Sequence, residues 1–347
     1  MADTRRTDVL TWSDNQSFER DTEQFRRELL AHCYRMMGSI EEAEDLVQET
    51  YLRAWRSYDT FEGRASVRVW LYRIATNACL TALRNRGRRP LPSGLGGPGE
   101  EPEAPLVAAG ADVVWLQPVP DALVRAHAGD PAVIVMARES IRLALVAALQ
   151  YLTPRQRAAL ILQEVLAWSA AEVAEVLQTS TPAVKSMLQR ARARLNEVAP
   201  GIREKVSEPS EPEARALLDR YMSAFENSDP ALLEKVLVSE ATLEMSPSLT
   251  WFSGLATCMR YLRAQVFGSP GDWLLLPTRA NGQPAAAAYY LSPEGSYQAL
   301  GIAVLTVNEL GITRITLFGD SALMPVFGFE KMYESAAQAR ASVTERE

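Results

Sequence analysis

The chain has 347 residues, 47% hydrophobic and 23% charged, a composition that fits two or three globular domains and excludes a fibrous or low-complexity protein. Its formal charge of −7 argues at first against a nucleic-acid binder, yet all of that charge falls on residues 206–347; residues 1–205 are neutral, and Arg68 to Arg89 carries six arginines and no acid. No run reaches the ~18–20 apolar residues of a membrane span, and Cys33, Cys79, Cys258, His32 and His127 show no metal-ligand spacing, so a cytoplasmic protein with reduced thiols, no metal and no cofactor is expected.

Residues 1–20 lack periodicity and read as a flexible tail. Phe25, Leu29, Leu30, Cys33, Tyr34 and Met37 then mark a helix that ends at Gly38. Ser39 is the expected cap of a second helix, Ile40 to about Tyr58, with Glu42 as its capping-box partner. That helix buries Ala43, Leu46, Val47, Tyr51 and Ala54 and shows Asp45, Gln48 and Glu49 on a polar face. A loop from Asp59 to Ala65 leads to a third helix, Ser66 to about Arg86, which interleaves Trp70 and Tyr72 with Arg68, Arg73, Asn77, Arg84 and Arg86. Aromatic faces and guanidiniums together suit unpaired bases and phosphates; equally, the aromatics can be core and the arginines a solvated face.

Residues 87–130 are dense in Pro and Gly and read as a linker. Within them Val113 to Asp121 (VVWLQPVPD) is too apolar to float free and is expected to dock on a neighbouring domain. Leu152 to Leu195 then gives apolar-periodic helices ending in a helix-turn-helix. Ala170, Val173, Ala174 and Leu177 stripe the support helix, and Gln178-Thr179-Ser180 forms the break. Thr181 is the expected cap, with Pro182 at the first helical position. Val184, Met187 or Leu188, Ala191 and Leu195 form the next buried stripe, opposite Lys185, Ser186, Gln189, Arg190, Arg192 and Arg194. Such a basic helix suits a DNA major groove, and an ordinary helical hairpin remains open.

After a second polar linker, 199–212, two amphipathic helices precede strand-like segments at Ala241–Met245, Leu274–Ala280, Ala286–Leu291, Gln298–Asn308 and Thr313–Phe318. A helix, Leu255 to Val266, separates the first two, and Asn281-Gly282 signals a hairpin turn. Helices followed by an antiparallel sheet predict an α+β cone.

Two long runs carry a family resemblance. AEDLVQETYLRAWRSYDTFEGRASVRVWLYRIATNACLTALRNRGRRP resembles region 2 of extracytoplasmic-function (group 4) sigma-70 factors, and the helix-turn-helix stretch resembles their region 4. Residues 213–330 resemble the SnoaL-like branch of the NTF2-like superfamily, and Trp115-Leu116-Gln117-Pro118-Val119-Pro120 the Trp-Leu-x-Pro-x-Pro linker of sigma factors with an extra C-terminal domain. The combination is most similar to the sigma-G type. It implies a multidomain fold: region 2 at 21–92, a linker at 93–137, region 4 at 138–198, a linker at 199–212, an NTF2-like cone at 213–335 and a tail at 336–347.

The resemblance further implies that Asp45, Gln48 and Glu49 bind bacterial RNA polymerase core. Phe61, Arg64, Ser66, Trp70, Asn77 and Arg84 would then hold single-stranded −10 bases, and Lys185, Ser186 and Arg190 would read the double-stranded −35 element. Trp115, Leu116, Pro118 and Pro120 would be regulatory. Lys185 stands where the family often has Arg, Met187 where it has a polar residue, and Gln178 at a turn position often held by Gly. Relatives of the cone include isomerases, cyclases and epoxide hydrolases, for which Glu244, Tyr289, Tyr290 and Asp320 are the acid–base candidates. The expected cavity, lined by Met245, Trp251, Phe252, Tyr289 and Phe318, fits a small-molecule sensor or a packed core better than an active site. A sigma factor without enzymatic activity is the leading expectation; a stand-alone helix-turn-helix regulator and a fused isomerase or hydrolase are the rivals.

Overall fold

The computed structural model describes residues 17–63, 65–124, 139–199 and 209–344. The chain divides into two compact units, 1–88 with 123–202 and 89–122 with 203–347.

The first unit is helical. α1 (Arg26–Met37) ends in Gly38 at φ 70°, a left-handed cap that glycine adopts without a Cβ clash. Ser39 starts α2 (Ile40–Ser57) by accepting the Glu42 amide. α3 (Val67–Ala82) is capped by Ser66 and runs into a tighter turn at Leu83–Asn85. Leu29, Tyr34, Met36, Ile40, Leu71 and Tyr72 are almost wholly buried between the three helices. Side chains of this size contribute about 1.5–3 kcal/mol each on burial. The expected tail is shorter than residues 1–20: 17–22 are helical, and buried Phe18 sets its ring edge-on to Tyr58 at 5.2 Å. Residues 1–16 lie outside the described ones.

α4 (Leu143–Leu149), α5 (Pro154–Leu160, extended by a π-helical turn at Ile161–Val165), α6 (Ala170–Val176) and α7 (Thr181–Val198) complete this unit. Two buried guanidiniums join them to the first three helices. Arg35 donates to the Ser140 carbonyl and hydroxyl, and Arg157 to the carbonyls of Met36, Gln150 and Leu152 and to the Gln150 amide oxygen. Burial lowers both pKa values to about 10, which leaves both charged at neutral pH.

The second unit is the α+β cone. α8 (Glu211–Glu226) and α9 (Pro230–Val236) lead into β1 (Leu237–Ser246), followed by β2 (Trp251–Ser253), α10 (Leu255–Gln265), β3 (Trp273–Ala280), β4 (Gln283–Leu291), β5 (Tyr297–Asn308), β6 (Gly311–Phe318) and β7 (Met332–Tyr333). The strand order is β2-β1-β6-β5-β4-β3, with β7 on β5. The sheet is mixed rather than antiparallel, because β1 and β6 pair in parallel. The expectation failed there because most of the domain separates those strands in sequence, so no hairpin constrains their sense. The expected tail at 336–347 is instead helical over α11 (Ala336–Thr344), with Ala339 buried and Arg340 paired to Glu226 of α8. β2 and β7 were not expected; three and two residues are too short for a periodic signal.

Candidate nucleic-acid and partner interfaces

Asp45 and Gln48 are exposed on α2, and Glu49, half-buried, pairs with Arg53 at 2.6 Å. The same face continues to Leu52 and Trp55, each about half exposed. Sequence reasoning missed these two. The available signal was their position, 7 and 10 residues after Asp45, which puts large apolar side chains on the polar face of the helix.

The loop and α3 sort their residues by burial. Leu71, Tyr72, Ala75 and Cys79 face the core, while Trp70 and Phe61 stay half-buried, ring to ring at 4.7 Å. Tyr58 continues this aromatic string, 6.3 Å from Trp70, and donates its hydroxyl to Asp21. Asn77 lies two turns beyond Trp70 on the same face, with Arg73 exposed between them. Ser66 is spent as the helix cap, accepting the Val69 amide, and Arg64 lies outside the described residues.

The arginine cluster is less uniform than its sequence. Arg68 is structural, bidentate to Glu28 and 5.3 Å from the Tyr72 ring centroid. Arg86 pairs with Glu42, Arg88 stacks over Tyr151 at 4.2 Å, and Arg89 donates to the Trp115 carbonyl. Arg73 and Arg84 have no ion pair with a described residue. Arg84 and Asn77 open onto a cleft of about 900 Å³ whose wall also holds Arg86, Arg88 and Arg155 and no acid.

In the helix-turn-helix, Ser169 and Glu172 form a reciprocal capping box at the start of α6, and the Ser169 hydrogen bonds hold the Glu172 pKa below its usual value. Gln178 adopts φ 48°, so the turn takes the left-handed conformation without glycine. The cap of α7 is Ser180, not Thr181: its hydroxyl accepts the Ala183 amide, and Pro182 sits at the second helical position. Both Met187 and Leu188 are buried, so Met187 is a core position and its apolar character removes nothing from the outer face. On that face Lys185, Ser186, Gln189 and Arg190 are exposed. Arg192 is tied to Glu164 and Arg194 to Glu197, each at 2.8 Å.

The linker does not run free. Residues 89–122 belong to the cone's unit. Leu116, Pro118, Val119 and Pro120 are buried, with Trp115 half-buried. Val119 exchanges two hydrogen bonds with Asn281, amide to side-chain oxygen and carbonyl to amide, both 3.0 Å. Asp121 accepts the Gly282 amide at 2.7 Å and pairs with Arg279 at 3.1 Å. Asn281 and Gly282 both have positive φ, so the docking point is the tight turn joining β3 and β4.

Within the cone, the enzyme candidates do not converge. Leu243 and Met245 line a cavity of about 370 Å³, so Glu244 between them projects to the other face of β1. There it is fully buried, paired with Arg314 at 2.9 Å and accepting the Ser93 amide at 3.1 Å. Tyr289 donates to the Glu330 carbonyl, Tyr290 is exposed, and Asp320 caps the backbone at Ala322. Of the expected cavity lining only Met245 is there. Trp251 donates its indole N–H to Gly96 of the linker, Phe252 packs on Tyr261, and Tyr289 packs on Tyr333. Phe318 alternates with the lining Leu317 and so faces away.

Comparison with known proteins follows the same division. The Sigma-70 region 2 family matches residues 22–89 and the Sigma-70, region 4 family residues 142–195. The chain is 49% identical over 312 residues to the ECF RNA polymerase sigma factor SigG of Mycobacterium tuberculosis, across 90% of this chain and 83% of that protein. It is 33% identical over 222 residues to SigJ of the same organism, covering 63% and 62% of the two chains. The crystal structure of M. tuberculosis SigJ superposes with a TM-score of 0.55 at 23% identity, across 88% of this chain and 98% of that one, a likeness of fold.

Proposed function

The chain belongs to the extracytoplasmic-function family of RNA polymerase sigma factors, and on that premise we propose how its surfaces divide the work of binding polymerase core and directing it to promoters. Asp45, Gln48 and Glu49, extended by Leu52 and Trp55, face the polymerase: carboxylates steer the encounter and the apolar pair supplies contact area. Phe61, Trp70, Asn77 and Arg84, joined by Arg73, hold unstacked bases of the −10 element. Lys185, Ser186 and Arg190 meet the −35 duplex, with Gln189 beside them. Lys185 is a point charge without the fork of arginine, so it favours phosphate over a guanine edge.

The observation that carries this reading is the Phe61–Trp70 pair. Tyr72 of α3 is completely buried, whereas these two rings stay half-exposed beside Arg73 and Arg84, guanidiniums without an ion pair among the described residues. Extruding a base requires a few kcal/mol, and aromatic stacking returns about 1–3 kcal/mol per base. The cone is proposed as a modulator acting through the docked linker, not as an enzyme, since Glu244 is committed to Arg314 and Ser93.

The test is reconstitution with core polymerase on selected promoter DNA. Asp45→Arg should weaken core binding by tenfold or more, roughly 1.4 kcal/mol, with helical content unchanged. Trp70→Ala should keep core and −35 binding but lose permanganate-reactive thymines at −10. Absence of core binding by the unaltered chain would sink the proposal.

A further inference from the structure

The cone cavity has a wall without a single Asp, Glu, Lys, Arg or His. Among the residues that line it, Phe225, Leu243, Met245, Trp273 and Ile315 make the surface apolar. At about 370 Å³ it falls at the small end of the roughly 300–1,000 Å³ typical of ligand sites. Two buried tyrosines, Tyr221 and Tyr261, also line it, and neither phenol hydroxyl has a hydrogen-bond partner among the described residues. The rings are buried but the hydroxyl oxygens are not sealed off, so each is open to the cavity and can meet an oxygen of a bound molecule. Burial raises both phenol pKa values, which keeps the pair neutral and unfit for general-base work.

One wall is not part of the cone fold. Leu106 comes from the linker, and the backbone beside it is stitched to the turn after β1. Leu249 donates to the Val107 carbonyl at 2.8 Å, Val107 donates to the Thr250 hydroxyl at 2.9 Å, and Ala109 donates to the Pro247 carbonyl at 3.2 Å. Pro247 and Ser248 of that turn line the cavity themselves. A molecule inside touches linker and cone at once.

We propose that this cavity binds a compact, neutral, largely apolar molecule bearing one hydrogen-bonding oxygen, an aryl ketone or phenol in type, and that occupancy clamps linker residues 104–109 onto the cone. The proposal deepens the reading of the cone as a modulator and rests on it. An anion or cation is excluded by the desolvation penalty of a charge with no counter-charge in the wall. Occupancy stabilises only the closed linker, so the ligand shifts that equilibrium by its differential affinity.

The probe is Prodan, a neutral, solvatochromic naphthyl ketone, titrated into the full chain. Saturable one-to-one binding with blue-shifted emission is expected. Met245→Trp and, independently, Leu300→Trp should fill the space and abolish it. Tyr221→Phe and Tyr261→Phe should each weaken it by roughly 2–10-fold, one net hydrogen bond, with unchanged melting. At probe ten times its Kd, amide exchange at Val107 and Ala109 should slow by about tenfold. Non-saturable binding, full binding by both tryptophan variants, or unchanged exchange at saturation would overturn the proposal. None of these readouts involves polymerase or promoter, so their failure leaves the sigma-factor reading standing, and core binding by the same preparation checks that reading separately.

Discussion

At residue 244 strand alternation leaves a carboxylate free to face either way, and Arg314 together with the Ser93 amide commits it to the linker side. The arginines show the same sorting. Arg192 and Arg190 lie on one helix and look alike in sequence, yet Arg192 pairs with Glu164 while Arg190 has no acid partner among the described residues. Replacing Lys185 and Arg190 together by Ala should therefore flatten the salt dependence of −35 duplex binding by about one unit of log–log slope per lost phosphate contact. Arg192→Ala, released from Glu164, should change the slope less; equal slopes for the two variants would contradict the assignment. His32 gives a pH prediction. Burial, then the Arg35 charge, lowers its pKa to about 3, and its Nε2 lies 3.0 Å from the Thr76 hydroxyl. The unfolded state takes up a proton near pH 6.5 that the native state refuses, so this residue's contribution falls as pH drops below 6.5, by about 1.4 kcal/mol per unit until the folded pKa is reached. The stability gap between the unaltered chain and His32→Gln should shrink by roughly 2–3 kcal/mol between pH 7.5 and pH 4.5. A gap that does not change with pH would show that His32 titrates normally.

At the scale of elements, α1–α3 and α4–α7 are joined through Arg35 and Arg157, which donate to backbone and polar side-chain oxygens, although the Arg157 Nε–H is buried without an acceptor among the described residues. Removing such a donor strands several buried carbonyls, each worth about 1–3 kcal/mol when unsatisfied. Arg157→Met should lower the stability of the helical unit by roughly 3–5 kcal/mol, measured by urea denaturation, while the cone, in the other unit, melts as before. The helices themselves were legible in sequence because their boundaries are chemical: Gly38 in the left-handed region, Ser39 as a cap and Ser66 at the start of α3. The error of one residue at Ser180 has an equally local cause. Ser180 and Thr181 are adjacent hydroxyls with equivalent chemistry, and only the backbone conformation decides which one caps.

For the whole molecule, the linker is the part whose role the tertiary structure changed most. Its second half was expected to dock; its first half, from Pro90 through Val107, docks as well, through Ser93, Gly96 and Val107. Deleting Trp115–Asp121 should alter transcript yield from a fixed promoter while −35 duplex affinity is unchanged, and unaltered yield would reduce the segment to a spacer. Asp121→Ala, which removes the acceptor of the Gly282 amide and the partner of Arg279, should reproduce the effect in part.

By itself the sequence determined the longer helices and strands, the two helical modules, the cone and the buried stripe of α7, because periodicity, caps and turn residues act over a few positions and need no distant partner. It also placed Asp45, Gln48 and Glu49, and likewise Lys185 and Arg190, on outward helical faces. Tertiary structure alone decided which arginines are spent internally, that Glu244 serves the linker, which residues wall the cavity, and that β1 runs parallel to β6. Apart from Arg53 and Arg194, which pair with Glu49 and Glu197 four and three residues away, each of those depends on a residue dozens to more than a hundred positions away. Strand alternation names the two faces of a strand, and only packing against distant chain says which face looks inward.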